Sequence, residues 1–284
     1  MTTDIPQRRI DFDFDPGSLP VYWWRDDACV TLFADALSLV FPEGERFLVD
    51  SVKRFRDRVK DPVLRARVAG FIGQEAMHGK GHRALNAMVR AHGLDVTEGL
   101  EKHIAGLLGF GRATLSPMGR LAVTCALEHF TATLAEQLLR DARIYGTMHP
   151  AIRPLWQWHS VEELEHKSVA YDVYRQMGGG YALRASMMLL TTFLFFVEIS
   201  HIHMRFLAAK GELLRPRTWL SSVDYFWVRP GVYRRFLPRY LAYFRPGFHP
   251  HDRDTASLLD EWRERLFGEQ GALRVRDERA RQVA

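Results

Sequence analysis

The chain has 284 residues, of which 47% are hydrophobic and 26% charged, and its formal net charge is +5. This composition is typical of a globular protein with a sizeable core, and it excludes a disordered chain. The positive charge is modest and no motif that reads DNA or RNA accompanies it, so we expect no nucleic-acid partner.

Cysteine usage and the N-terminus indicate the compartment. Only Cys29 and Cys125 occur, without a CxxC motif, which favours a reducing environment over a disulfide framework. The first seventeen residues lack the basic and then apolar plan of a signal peptide. We therefore expect a cytoplasmic protein, with membrane association as a secondary expectation.

Helical periodicity dominates the chain after an extended N-terminal arm at residues 1–22. Asp61 and Ser116 each precede a proline, as N-caps do, and Gly93 and the glycines at 178–180 mark helix ends. The fold class predicted is all-α. The predicted helices are 25–40, 43–59, 61–92, 97–110, 116–146, 150–177, 181–209 and 254–267.

Residues 185–197 form an uncharged, strongly apolar segment. A membrane-spanning helix needs about 20 such residues, so we predict a buried helix of the bundle here. Peripheral membrane contact is the alternative, and the aromatic and basic stretch at 233–240 favours it.

The predicted helix 61–92 carries ligand-type residues on its apolar stripe. Glu75, His78 and His82 lie within about 60° of one another on the face that also holds Phe71 and Leu85. A buried carboxylate with two imidazoles is unfavourable unless the groups are paired or bind a metal. This face therefore predicts a metal site.

The predicted helix 150–177 repeats the pattern with His159, Glu163 and His166. Glu163 and His166 have the same three-residue spacing as Glu75 and His78, so each pair can reach one ion. Glu162 also faces His159 and His166. Because Glu163 matches Glu75 in spacing, we assign Glu162 to the surroundings of the site or to solvent, with a place among the ligands as the alternative.

Glu45 and Glu128 each lie on the apolar face of a further helix. Ferritin-like dinuclear centres take their ligands from four helices, in an arrangement that this chain matches with the order Glu, Glu-x-x-His, Glu and Glu-x-x-His. We therefore predict a ferritin-like four-helix bundle over 23–210, with a C-terminal helical extension over 211–284 packed on it. The predicted ligands are Glu45, Glu75, His78, Glu128, His159, Glu163 and His166.

Two alternatives stay open at this point. The same residues could form buried ion pairs that only hold the bundle together, although such pairs stabilise proteins poorly. His82 could be a further ligand or an outer partner that orients a ligand.

Three segments resemble a bacterial family described as predicted metal-dependent hydrolases. They are Gly44-Glu45-Arg46-Phe47, the stretch from Gln74 to His82, and Phe248-His249-Pro250. The ligand layout, with His159 as third histidine, also resembles the p-aminobenzoate N-oxygenase type of di-iron enzyme.

A rival resemblance is to haem-oxygenase-like di-iron oxidases. Their pattern would use Glu75, His82, Glu128, His159, Glu163 and His166, and would leave out Glu45 and His78. The two matching Glu-x-x-His units favour the ferritin-like arrangement.

Carboxylates with a few imidazoles suit iron, and manganese or a mixed manganese–iron pair is the alternative. We expect two iron ions that activate O2 to oxidise a small, apolar organic substrate, with electrons from an external donor. Metal-dependent hydrolysis at the same site is the second hypothesis, and non-catalytic iron binding is the third. A homodimer is a further expectation.

Overall fold

The computed structural model describes residues 5–274 and 276–277. The regular elements of these residues are helical, apart from one isolated bridge between Trp24 and Met148, so the all-α prediction is confirmed. The α-helices are α1 (Ala28–Lys53), α2 (Pro62–Ala91), α3 (Thr97–Thr114), α4 (Pro117–Arg140), α5 (Ala142–Tyr145), α6 (Arg153–His166), α7 (Val169–Gln176), α8 (Tyr181–Ala209), α9 (Pro216–Val223), α10 (Val232–Ala242) and α11 (Ala256–Phe267). Short turns of other helix types lie at Arg56–Arg58, Asp224–Val228 and Pro250–Asp252.

The centre of the molecule is a bundle in which α1 packs along α2 and α4 along α6, while α8 lies against α1 and α4. Its apolar core forms two clusters. On α2, Phe71 belongs to one cluster and Leu85 to the other, so the polar residues of 75–82 lie between them. The predicted ligands therefore occupy the middle of the bundle.

The arm lies along α2, where glycines leave room for it. A Cβ atom at Gly70 would lie 2.6 Å from the Cβ of Ile5, and one at Gly73 would lie 2.4 Å from the side chain of Gln7. Residues 5–22 are not helical, as predicted for the arm. Residues 1–4 of that prediction lie outside the described residues.

The predicted break between helices 25–40 and 43–59 is wrong, because α1 continues through Pro42. A proline lacks the N–H that would bond to the carbonyl four residues earlier, here Ser38. The side-chain amide of Asn86 on α2 donates to this carbonyl at 3.1 Å. The proline is therefore tolerated because a neighbouring helix supplies the missing donor.

The predicted single helix 150–177 is also wrong, because α6 ends at His166 and α7 begins at Val169. Neither proline nor glycine lies at this break. Instead, the Lys167 ammonium donates to the carbonyl of Arg253 and to the hydroxyl of Thr255, both at 2.9 Å. A contact with a distant segment therefore accompanies the break.

The predicted helix 116–146 likewise ends earlier, at Arg140, where Asp141 caps the short α5. In the predicted extension, α9 and α10 were not anticipated as separate helices. The described residues of this part contact the bundle, for example where the Trp262 indole N–H donates to the Leu139 carbonyl at 3.1 Å. The division near residue 210 stays a prediction, and residues 275 and 278–284 lie outside the described residues.

The prediction that residues 185–197 are buried is wrong. By length and composition α8 could cross a membrane, but only 22% of its most apolar window is buried. Leu189 and Phe193 are 58% and 65% exposed. The reason is that α8 packs against the bundle with one face only, although both of its faces are apolar.

Asp35 on α1 is buried, and its Oδ1 accepts a hydrogen bond from the Trp23 indole N–H at 2.9 Å. Burial raises the pKa of Asp35 to about 8, although the Trp23 bond and Lys210 oppose the shift. The folded protein therefore keeps this carboxyl protonated at pH values at which the unfolded chain has lost the proton.

We expect Asp35→Asn to stabilise the protein increasingly as pH rises from about 4 to 8. A raised folded-state pKa means that stability falls with pH over this window, because the folded state binds the extra proton. The gain should reach about 4 kcal/mol at pH 7. Denaturant unfolding at several pH values measures it, with the exposed Asp95→Asn as control. Parallel stability curves for Asp35→Asn and the native protein would contradict the assignment.

Candidate metal centre

Four helices bring the seven predicted ligands into one buried cluster. Glu45 comes from α1, Glu75 and His78 from α2, Glu128 from α4, and His159, Glu163 and His166 from α6. Each of them is at most 5% exposed. The helical spacing therefore directs every one of these side chains into the core.

The cluster contains three groups whose ligand-type atoms lie within 4.8 Å of one another. They overlap and together include all seven residues. The groups are Glu45 with His78 and His159, Glu75 with His78 and Glu163, and Glu75 with Glu128 and His166.

Glu75 and Glu163 each reach towards two histidines at once. Oε2 of Glu75 lies 4.0 Å from Nδ1 of His78, and its Oε1 lies 3.0 Å from Nε2 of His166. Oε1 of Glu163 lies 3.8 Å from the same atom of His78, and its Oε2 lies 3.6 Å from Nε2 of His166. Carboxylates in this position can bridge two ions.

Most atoms that face the centre of the cluster make no hydrogen bond of good geometry among the described residues, although Oε1 of Glu75 lies only 3.0 Å from Nε2 of His166. These buried atoms are both carboxylate oxygens of Glu45, Glu75 and Glu128, Nδ1 of His78 and Nε2 of His166. Buried polar atoms are nearly always satisfied, and unpaired ones are unfavourable by about 1–3 kcal/mol each. So many orphaned acceptors around one point fit bound cations, which are the partners they lack.

The outward-facing nitrogen of each imidazole, by contrast, has a partner. Nε2 of His78 lies 3.1 Å from Glu162, and Nδ1 of His166 lies 3.0 Å from Oε1 of Gln74. Nδ1 of His159 lies 2.8 Å from Nε2 of His82. An imidazole held by one nitrogen with the other free is the usual arrangement of a metal-binding histidine.

Glu162 and His82 thus lie beside the cluster and hold two of its histidines. The other nitrogen of His82, Nδ1, contacts the Ser38 hydroxyl at 2.9 Å. The rival haem-oxygenase-like set requires His82 among the ligands, but both of its nitrogens are bonded, to His159 and Ser38, and His82 belongs to none of the three groups.

Burial controls the proton affinities of the cluster. It raises the pKa of Glu45, Glu75 and Glu128, and neighbouring carboxylates contribute to each increase. Burial lowers the pKa of His78. Burial would also lower the pKa of His166, but Glu128 and Glu163 raise it well above its usual value. Without cations, such a cluster of buried acids retains protons; bound cations would replace them.

Glycines on α2 allow its neighbours to approach this closely. A Cβ atom at Gly79 would lie 3.0 Å from Oε2 of Glu45, and one at Gly81 would lie 2.8 Å from Leu155. The two glycines between His78 and His82 therefore stand where α1 and α6 need space.

A second set of polar residues surrounds the cluster, and helical periodicity does not predict it. The guanidinium of Arg8, from the arm, donates to Glu162 at 2.9 Å and to both oxygens of Glu165 at 2.8 Å. Glu165 also accepts from Gln74 at 2.6 Å and from Arg263 of α11 at 2.7 Å. Residues near both ends of the described chain thus support the histidines. Of these supporting residues, only Gln74 lies next in sequence to a predicted ligand, Glu75.

A cavity of about 100 Å³ reaches the cluster at His159 and Glu163. Its walls are mainly apolar, with Phe41, Trp156 and Phe195 among them. The hydroxyl of Thr131, also in its wall, donates to Oε2 of Glu163. Small apolar molecules could therefore meet the cluster from this side.

We expect Gly79→Ala to weaken metal binding about tenfold with the fold preserved, because the new methyl group displaces the Glu45 carboxylate. Titration of the metal-free protein with Fe(II) or Mn(II) measures the effect. Gly106→Ala is the control, since its methyl group would enter open space on α3. Equal affinities in both variants would contradict a role for Glu45 as ligand.

Arg8→Gln should destabilise the protein by about 3 kcal/mol, since it leaves Glu162 and Glu165 buried with fewer partners. Denaturant unfolding compares it with Arg9→Gln, which changes the exposed neighbour. If the two variants unfold alike, the arm does not support the cluster energetically.

Comparison with known proteins agrees with a metal-dependent function. The model of a family described as "Predicted metal-dependent hydrolase" matches residues 6–254, which include every residue of the cluster. No curated protein and no solved structure matches the chain. The family match covers most of the sequence, and the chain therefore belongs to the family of predicted metal-dependent hydrolases.

Proposed function

We propose that the protein is a dinuclear metalloenzyme that uses O2 to oxidise a small, apolar organic molecule, with electrons from an external donor. The observation that carries the proposal is the ring of buried, unpartnered carboxylate and imidazole atoms beside an apolar cavity.

Two ions suit the cluster better than one. Glu45, His78 and His159 would hold the first ion, and Glu128 and His166 the second. Glu75 and Glu163 lie between them with one oxygen towards each side. Four carboxylates also balance the charge of two divalent cations, which matters because net charge is strongly unfavourable in a buried site.

The donor set favours iron or manganese. Carboxylates with imidazoles suit these metals, whereas the groups contain no thiolate of the kind that structural zinc sites use. Two reduced iron ions would supply the electrons and the Lewis acidity that O2 reduction needs.

The chain's own residues would hold the substrate and exclude water. Phe41, Trp156 and Phe195 give the cavity apolar walls next to His159 and Glu163. Its size and lining favour a small apolar molecule or the apolar end of a longer one. Thr131 would keep Glu163 oriented through its hydrogen bond.

Metal-assisted hydrolysis is the second candidate, and the family description favours it. A hydrolase must hold a polar scissile group and protonate its leaving group. Among the described residues that line the cavity, His159, Glu163 and Tyr225 are the titratable ones, and the first two belong to the cluster. The apolar lining therefore makes hydrolysis the weaker candidate.

The test begins with metal analysis of protein purified without chelators. We expect two iron or manganese ions per chain. The anaerobic Fe(II) protein should then consume O2 and change its absorbance when O2 is admitted. Glu75→Ala should abolish both effects, because it would remove an oxygen donor to each ion, whereas Glu261→Ala, at an exposed position of α11, should change neither.

Oxygen consumption no greater than that of Glu75→Ala would contradict the oxidase proposal. Ester cleavage without O2, sustained by manganese or zinc, would instead support hydrolysis. Iron binding without either reaction would leave the non-catalytic function.

A further inference from the structure

Most of the exposed large hydrophobic side chains among the described residues lie between residues 181 and 241. On α8, Leu189, Phe193 and Val197 are 58%, 65% and 47% exposed and follow one another at helical spacing. The other face of α8 is buried against the bundle through Ile199, Ile202 and Phe206. One complete apolar face of this helix therefore lacks a partner within the described chain.

Two grooves extend this face to the neighbouring helices. A groove of about 180 Å³ lies between Phe196 of α8, Trp219 of α9 and Phe236 of α10. A second, of about 300 Å³, lies between Leu194 of α8 and Phe110 of α3. We call the surface formed by α8, α9, α10 and these grooves the α8–α10 face.

Trp219 of α9 and Trp227 of the turn at Asp224–Val228 are 42% and 53% exposed and are followed in sequence by the exposed Leu220 and Val228. Partly exposed tryptophan beside aliphatic residues is typical of surfaces that sit at the boundary between water and lipid. An exposed apolar surface of this extent marks an interaction site, because monomeric soluble proteins rarely expose one.

Positive charge is concentrated in the same segment. Residues 181–245 contain ten arginines and lysines but three carboxylates. Because the net charge of the whole chain is only +5, the remaining residues together are net acidic. Arg205, Arg217 and Arg234 are exposed, and no ion pair joins them to a carboxylate of residues 5–274 or 276–277. This combination complements a surface that is both apolar and anionic.

We propose that the α8–α10 face docks the protein on an anionic lipid bilayer. The helix α8 would lie along the membrane surface, because its other face packs on α1 and α4 and cannot also contact lipid. Apolar side chains would enter the acyl boundary, and the unpaired arginines would contact the headgroups. A second copy of the chain is a poorer occupant, since it would bring two sets of arginines together.

Cosedimentation with vesicles tests the proposal on the full-length protein. We expect binding to vesicles of phosphatidylcholine mixed with phosphatidylserine, and much weaker binding to phosphatidylcholine alone. The triple variant Arg205→Gln, Arg217→Gln and Arg234→Gln should bind less tightly by about fivefold per arginine. Phe193→Glu should weaken binding about tenfold or more, because a charge cannot enter the acyl boundary.

Matched variants lie away from the α8–α10 face. Val63→Glu changes an apolar residue that is 45% exposed at the start of α2. The combination Lys53→Gln, Arg54→Gln and Lys60→Gln removes three exposed charges near the end of α1. Both should bind vesicles as the native protein does.

Three results would overturn the proposal. The protein could bind neither kind of vesicle, or the control variants could weaken binding as much as the α8–α10 variants. The native protein could also form a dimer that Phe193→Glu dissociates, in which case a second copy covers the face.

Discussion

The structure depends on the unfavourable burial of four carboxylates in one place. Glu45, Glu75, Glu128 and Glu163 come from four helices, and the histidines among them balance only part of their charge. Cations at the centre would do so and would link the four helices at mid-length, between the two apolar clusters. Metal binding and the stability of the bundle would then be coupled, because the same charges that oppose folding of the empty protein would hold the ions.

The need to bring these carboxylates and histidines together explains several local irregularities. Gly79 lets the Glu45 carboxylate approach α2, at a position where a larger residue would displace it. The helix α6 ends immediately after His166, the last residue of the cluster. The chain then turns into α7, so that Lys167 can bond to the C-terminal segment while His166 keeps its place in the centre.

Helical periodicity was sufficient to predict the fold class and the seven residues that the structure brings together. It identifies which face of a helix is buried, and a carboxylate on that face is a local signal. It does not identify partners far away in sequence, so Arg8, 154 residues before Glu162, carried no signal at all. The exposure of α8 could not be predicted for a similar reason. The apolar composition of Phe193 and its neighbours is the same whether protein, lipid or water covers them.

Hydrogen bonds around the cluster also determine which nitrogen of His166 and of His159 faces the centre of the cluster. The amide nitrogen of Gln74 donates to Glu165 and to the Pro6 carbonyl, so its oxygen faces His166. That oxygen can only accept, and Nδ1 of His166 must therefore carry the proton. Nε2 of His166 is left as the atom that faces Glu75 and Glu128, where a bound cation would replace its proton.

The same reasoning connects Pro42 to His159. Because Pro42 has no N–H, the Ser38 carbonyl takes its hydrogen bond from the amide nitrogen of Asn86, and this fixes the amide oxygen as the acceptor of the Ser38 hydroxyl proton. The Ser38 oxygen then accepts a hydrogen bond from Nδ1 of His82. Burial lowers the pKa of His82 and so keeps its ring neutral.

Nε2 of His82 is consequently an acceptor, and the proton between the two rings belongs to Nδ1 of His159. The remaining nitrogen of His159, Nε2, lies 3.0 Å from Oε1 of Glu163 and so faces the cluster, where it would bind a cation. The proline inside α1 thus does more than interrupt a ladder of hydrogen bonds, because the donor that replaces its N–H begins the chain of bonds that orients a histidine of the cluster two helices away.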